Sequence, residues 1–413
     1  MKCLNLSDRT MRHSVLNIVG TLMIALCQWL QVILITRVLG LYEVGVFTYF
    51  LAVMGPLVLL ARFSLSILVP TQEKLNYSFQ IFFYYRNVMN IAFIGAGVIV
   101  TLALGLTVYE KLCLMIFIIF KYYETKEEFV YTENIALGHI KFLAQSKIYK
   151  SIVTTVMFVA AVIIFESLMA AVMSLFFSQF LVYLFYTGRY TTVNHKDRFS
   201  ISIKQFKNIF ILGIGLTLVE VLSSLMTNVP RFLIEHYFSM VELGIYGTLM
   251  YAATLTSNII IAINQAVVSK LVNYRKENHR KFNVYLVKLF LILTVLIILG
   301  ELVLITYGTQ IFAFIYSDVF LEFNTEMILL GMLLCFQVYS KVLEMIMSIL
   351  NQYKIQVMMQ GVTFVLIVVL SFILVIPYGI TGALLAALIT QVLHLLAQLI
   401  AVVYYNKERF EEG

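Results

Sequence analysis

Charge is scarce in this chain: only 12% of its 413 residues are Asp, Glu, Lys or Arg, against about a quarter in a soluble globular protein. With 61% hydrophobic residues and a mean hydropathy of +0.93, that shortage excludes a water-soluble enzyme. Cysteine is also sparse. Cys3, Cys27, Cys113 and Cys335 form no CxxC pair and no metal-ligand spacing, which excludes a disulfide framework and a zinc site. Aspartate occurs only at Asp8, Asp197 and Asp318, never inside an apolar run, and the six histidines (His13, His139, His195, His236, His279, His394) are scattered over ends and loops. No metal or catalytic centre is expected from them. The chain lacks a G-x-x-x-x-G-K-[ST] loop, an H-E-x-x-H pair and a G-x-S-x-G elbow, so it does not hydrolyse ATP by itself and carries none of these hydrolase signatures.

What is abundant is apolar sequence in runs of helical length. A hydrocarbon core of about 30 Å needs roughly 20 apolar residues per crossing. Spans are expected near 14–36, 44–69, 87–108, 112–137, 148–165, 167–187, 209–230, 243–268, 285–306, 324–349, 355–376 and 382–404. The basic start, Lys2 to Arg12, runs into the first of them with no small-residue cleavage site, which reads as an uncleaved helix. An even number of spans puts both termini on one side. If that side is the cytoplasm, its segments hold 22 of the 29 Lys and Arg residues, as the positive-inside rule requires. The fourth span is the weak one, because Lys121-Tyr-Tyr-Glu124-Thr-Lys126-Glu127-Glu128 interrupts it. It is retained because dropping it would turn Lys141, Lys147 and Lys150 outward.

The chain repeats itself. Tyr42-Glu43-Val44-Gly45-Val46-Phe47 returns as Val241-Glu242-Leu243-Gly244-Ile245-Tyr246, and Ala136 to Lys141 returns as Ile349 to Lys354. Ser178-Gln179 likewise matches Thr390-Gln391. The change of offset between these matches fits one insertion in the outside gap Tyr307 to Phe323. The expectation is an all-α polytopic membrane protein of about twelve transmembrane helices, in two parallel six-helix repeats (1–208 and 209–413) around a central cleft.

Polar side chains inside a span are costly unless they face protein or water, so their helical phase reports the wet face. Span 1 offers Asn17, Thr21, Gln28 and Gln31; span 7 offers Glu220, Ser224, Thr227 and Arg231; span 8 offers Tyr251, Thr254, Asn258 and Gln265. For the Ser and Thr positions, helix-on-helix packing is the favoured account. Arg62 in span 2 is different, because an arginine near mid-membrane costs at least about 2.5 kcal/mol on insertion scales. Arg37 and Arg231 lie near the outer boundary, where snorkelling also explains them. Lys341 and Glu344 of span 10 are either a self-neutralised i, i+3 pair or cleft residues. In span 4, Lys121, Glu124 and Glu128 share a face while Lys126 and Glu127 point elsewhere. Its net acidity suits coupling to an H+ or Na+ gradient as well as hydration; no bound cofactor is expected.

Taken with Arg37-Val-Leu-Gly40, Gly45-Val-Phe, the Arg62 region, Ala136-Leu-Gly138 before Lys141, and Pro377-Tyr-Gly379-Ile-Thr-Gly382-Ala, the chain resembles the polysaccharide flippases of the Wzx type, within the multidrug, oligosaccharidyl-lipid and polysaccharide exporter superfamily. The resemblance covers essentially the whole chain and rests on the order of short pieces. It implies translocation of undecaprenyl-diphosphate-linked oligosaccharide repeat units from the inner to the outer leaflet of a bacterial plasma membrane, for O-antigen or capsule. Its partners would be the lipid-linked substrate, the bilayer, and polymerase and chain-length proteins of the same pathway, with no nucleic acid. A diphosphate needs desolvated cations, for which Arg62, Arg37, Arg231 and Lys341 are the candidates, with Asn17, Gln28 and Asn258 for sugar. Glu124, Glu128, Glu220 and Glu344 are the candidates for ion coupling. A drug or cation antiporter of the same superfamily is the nearest rival, although no span contains Asp. A multispan O-antigen polymerase is the rival from a different class, although the longest outside gap has no Lys or Arg.

Overall fold

In the computed structural model, residues 2–69, 77–191, 202–277 and 279–411 are described, and among them helix is the only extended secondary structure. Lys74, His195, Lys196, Asp197 and Arg198 lie outside the described residues. The first unit of the fold contains α1 (Lys2–Leu34), α2 (Leu41–Arg62), α3 (Phe79–Ala103), α4 (Val108–Ala136), α5 (Ile140–Phe165) and α6 (Leu168–Phe185). After them come α7 (Ile203–Tyr237), α8 (Met240–Glu277), α9 (His279–Ile315), α10 (Asn324–Ile349) and the long α11 (Tyr353–Glu411).

Among the described residues, ten helices are long and apolar enough to cross a membrane. The difference from twelve has two causes. α4 is a continuous helix, started by a capping box in which Thr107 and Glu110 satisfy each other's backbone N–H groups, but its charges disqualify it on hydropathy. α11 holds the last two expected spans as one merged helix, broken at Gly379 (φ 54°, ψ −128°) two residues after Pro377. Each expected span is therefore helical. Apolar runs of helical length are a sound guide to existence and a poorer one to ends.

Three boundaries are corrected. α3 begins at Phe79 rather than 87 and α5 at Ile140 rather than 148, so Arg86, Lys147 and Lys150, expected on the water side, lie within helices. The gap expected from Tyr307 to Phe323 is mostly structured: α9 continues to Ile315, and a 3-10 turn covers Asp318–Glu322. The insertion lengthens a helix instead of making a loop.

The chain divides into two compact units, residues 1–39 with 46–225, and residues 40–45 with 226–413. The boundary falls inside α7 instead of at the polar segment near 208. In the first unit, the start of α7 belongs to the core: Ile209 packs with Phe63, Leu65, Leu68, Phe82, Tyr85 and Phe129. A Cβ on Gly213 would meet the Phe63 ring at 2.6 Å. Phe63 and Ser64 both take left-handed backbone (φ 49° and 46°), which costs about 1–2 kcal/mol per residue and is offset by burial of the Phe63 ring. That break ends α2 at Arg62.

In the second unit the two copies of the repeated sequence touch. A Cβ on Gly45 would collide with the Met240 carbonyl, and one on Gly244 with the Leu41 carbonyl. Both glycines are required by the close approach of two backbones.

Candidate functional site

Within the first unit, α4 carries Lys121, Glu124, Glu127 and Glu128, and its neighbours meet these charges with their own. Arg62, ending α2, places Nε 3.7 Å from Glu128 Oε2, and Arg86 of α3 places Nη2 3.0 Å from the same oxygen. Arg86 is only 1% exposed and Arg62 31%. Glu220 of α7 lies beside Ser64 and within electrostatic reach of Arg62, Arg86 and Glu128. None of the three Arg86 guanidinium nitrogens has a well-formed hydrogen bond, nor does Arg62 Nε. Two arginines thus share one carboxylate, with donor capacity left over.

A second cluster adjoins on α4. Lys121 Nζ donates to Glu124 Oε2 at 2.7 Å, and Lys150 Nζ of α5 stands 3.8 Å from Glu124 and 2.7 Å from Glu127. Glu127, 1% exposed, also accepts from Gln179 Nε2 of α6 at 2.9 Å and from Thr187 Oγ1 at 3.1 Å. Thr187 hydrogen-bonds Ser146, and Ser146 hydrogen-bonds Tyr131. One carboxylate thereby ties α4, α5 and the end of α6. Glu127, expected to point elsewhere than Lys121, Glu124 and Glu128, faces α5 and α6 and is the most deeply held carboxylate of the cluster, while Lys126 lies 4.7 Å over the Tyr122 ring.

The other candidates divide by unit. Asn17 and Thr21 of α1 accept from Lys147 Nζ at 2.9 and 3.0 Å, which gives Asn17 a structural task, while Gln28 is half-buried on the same helix. Arg37 sits exposed in the π-turn Ile35–Leu39. In the second unit, Arg231 donates from Nη1 to Asn228 Oδ1 at 2.9 Å, its Nε has no hydrogen bond, and Tyr246 and Tyr251 lie nearby. Lys341 and Glu344 pair with each other at 2.8 Å, and Asn264 of α8 donates to the Lys341 carbonyl. Asn258 is half-buried on α8. The structure therefore gathers Arg62, Glu124, Glu128 and Glu220 in the first unit, and Lys341 with Glu344 in the second.

Sequence reasoning missed Arg86, Glu127, Lys150 and His394. Arg86 was hidden by a span boundary drawn about two turns late, and Lys150, at the very start of its expected span, was counted with the water-side charges. His394 lies buried inside α11 rather than at an end or in a loop. Gln179 had one signal, the repeated Ser-Gln and Thr-Gln pair. Among the described residues no group of three His, Cys, Asp or Glu side chains is arranged to hold a metal ion.

Among the described residues the chain is all-helical, in two units, with paired charges among helices long and apolar enough to cross a membrane, and solved structures agree on the fold. A lipid II flippase, MurJ, in an inward closed conformation superposes with a TM-score of 0.76 at 16% identity, over 94% of this chain and 87% of MurJ. An inward-facing multidrug resistance MATE family transporter of the MOP superfamily superposes with a TM-score of 0.74 at 12% identity, over 95% of this chain and 99% of that one. The capsular polysaccharide biosynthesis protein CapF of Staphylococcus aureus is 24% identical over 402 residues, which is 95% of this chain and 98% of CapF. Residues 11–269 match the polysaccharide biosynthesis protein family, and the chain belongs to that family.

Proposed function

We propose that this protein carries undecaprenyl-diphosphate-linked oligosaccharide repeat units from the cytoplasmic to the outer leaflet of a bacterial plasma membrane, with both termini in the cytoplasm. The observation that carries the reading is the pair Arg62 and Arg86 sharing the single carboxylate of Glu128 among membrane helices. A dianionic diphosphate is a ligand that guanidinium groups with unfilled donors fit, because planar, weakly hydrated donors match phosphate oxygens two at a time. Arg62, the more exposed of the two, meets the head group; Arg37, Arg231 and Lys341 are further cation contacts. Asn17, Gln28 and Asn258 are polar sites for sugar, though Asn17 must first give up Lys147. Movement of the two units supplies alternating access, without covalent chemistry. An H+ or Na+ gradient drives it, with Glu124, Glu128, Glu220 and Glu344 as the carboxylates open to coupling. Similarity to CapF and to a lipid II flippase supports the substrate class, and the excess of Lys and Arg in alternate segments supports the orientation.

The test is the leaflet location of lipid-linked repeat units in a deletion strain. Single units trapped on the cytoplasmic face, rescued by the wild-type chain and poorly by Arg62→Ala, are expected. Unpolymerised units on the outer face would indicate a polymerase defect. No accumulation at all would favour the drug exporter.

A further inference from the structure

In the second unit a buried histidine bridges the positions that the internal repeat pairs with the Glu127–Lys150 salt bridge. At the offset that relates Lys141 to Lys354, Glu127 corresponds to Ser340 and Lys150 to Thr363. Where the first unit joins these helices by an ion pair, the second joins them through neutral groups. Ser340 Oγ donates to Gln398 Oε1 at 2.8 Å, the Gln398 amide Nε2 lies 2.9 Å from His394 Nε2, and His394 Nδ1 lies 2.7 Å from Thr363 Oγ1. Thr363 Oγ1 in turn donates to the Met359 carbonyl at 2.7 Å.

This chain of contacts has one consistent direction. Thr363 spends its only proton on Met359, so His394 Nδ1–H must donate to Thr363, and Nε2 is left as the acceptor of the Gln398 amide. The ring is therefore neutral in this arrangement. Adding a proton makes both ring nitrogens donors. Gln398 must then turn its amide so that Oε1 faces Nε2–H, its NH2 group faces Ser340 Oγ, and the Ser340 hydroxyl is free to bond a carbonyl one turn back. One proton is gained and no covalent bond is broken.

We propose that His394 is a proton-binding site, read out on α10 through the Gln398 amide and the Ser340 hydroxyl. It rests on the transport reading above, in which a gradient drives the cycle. Two further features fit. Thr363 lines a cavity of about 110 Å³ together with Gln337, Thr390 and Gln391, which is room for several waters. Gln337 Oε1 and Thr390 Oγ1 are buried there without a protein partner. The charged side chains that face the imidazole are Glu344 and Lys341, both from α10 and paired with each other. α8, also packed on α11, contributes the neutral Asn264 to the Lys341 carbonyl.

Two measurements on the full-length protein test this. Nitrogen NMR of histidine-labelled protein in detergent, compared with His394→Gln to assign the signal, should show the Nδ1–H tautomer for His394 at the upper end of about pH 5–8, where imidazole titrates. It should become the doubly protonated ring at the lower end. An Nε2–H tautomer, or no titration in that range, overturns the proposal. In proteoliposomes loaded with lipid-linked repeat units extracted from a deletion strain, a pH gradient should speed translocation several-fold in wild type. His394→Gln should bring the ratio of rates with and without the gradient to near unity, and Gln398→Leu should do the same while His394 still titrates. Equal gradient responses in wild type and both variants would overturn the coupling role. Absence of translocation by wild type at any gradient would overturn the transport reading instead, leaving the NMR titration to decide the proton site alone.

Discussion

Glu127→Ala is expected to be among the costliest single changes in the first unit. The carboxylate is 1% exposed and holds Lys150, itself 13% exposed, at 2.7 Å. Lys150 has one other carboxylate in reach, Glu124 at 3.8 Å, which is already engaged by Lys121 at 2.7 Å. Leaving a buried ammonium without its partner costs about 3–5 kcal/mol. The bonds that Gln179 and Thr187 donate to the carboxylate are lost with it, and because they are charge-assisted they add to that figure. At about 2–4 °C per kcal/mol for 150–250 residues, melting should fall by roughly 6–20 °C. A thiol-reactive dye reads it in detergent, because Cys113 is fully buried until the unit opens. The charge argument also requires that Glu127→Leu combined with Lys150→Met recover most of the loss, as apolar replacement of a whole buried pair commonly does. Glu127→Ala melting with wild type, or a double variant no better than the single, would refute the reasoning.

Gly45→Ala and Gly244→Ala should each prevent accumulation of folded protein, because the added methyl meets backbone carbonyls that cannot turn away; membrane-fraction yield reads this, with Gly95→Ala, open to space, as the control. Lys341→Ala should lower melting by no more than about 1 kcal/mol equivalent, since an ion pair with both partners about a third exposed is weak; any larger effect on rescue of repeat-unit export then reflects function. Gly379→Ala should cost about 1–3 kcal/mol by forcing a side chain into a mirror-image extended backbone (φ 54°, ψ −128°) that glycine alone adopts readily, read as a drop in melting.

The spans were legible because the bilayer demands about 20 apolar residues each time, and that demand leaves its mark whatever the neighbours do. Their ends were not. Phe79-Gln-Ile-Phe-Phe-Tyr-Tyr before Arg86 reads as an interfacial stretch, yet it forms the first turns of α3 and packs Phe82 and Tyr85 into a core. The arginine that follows looked like a boundary charge for the same reason. Arg62 was found from sequence because its cost in a span is a local property. Glu127 was not, because its partners Lys150, Gln179 and Thr187 are 23, 52 and 60 residues away, and no helical phase of α4 alone shows which neighbour will bring a cation. His394 was passed over for a related reason: its two hydrogen-bonding neighbours, Thr363 and Gln398, and Ser340 beyond Gln398, have meaning only once α10 and both halves of α11 are assembled.

The charges that make α4 fail a hydropathy test are also what allows an arginine to be kept at the end of α2. Arg62 and Arg86 alone would be two uncompensated cations among membrane helices; Glu128 supplies one negative charge to both, and Glu220 lies within electrostatic reach of both. An anion arriving at Arg62 therefore competes with a carboxylate at 3.7 Å more than with bulk water. The contact is long enough to be the weaker half of the arrangement, while Arg86, at 3.0 Å and nearly inaccessible, keeps Glu128 in place when Arg62 turns away. In the proposed function this gives the two arginines separate tasks. Arg86 positions the carboxylate, and Arg62 exchanges it for phosphate, so binding strength is set by the difference between two ion pairs. Such a difference is small enough for the same site to accept the head group on one side and release it on the other.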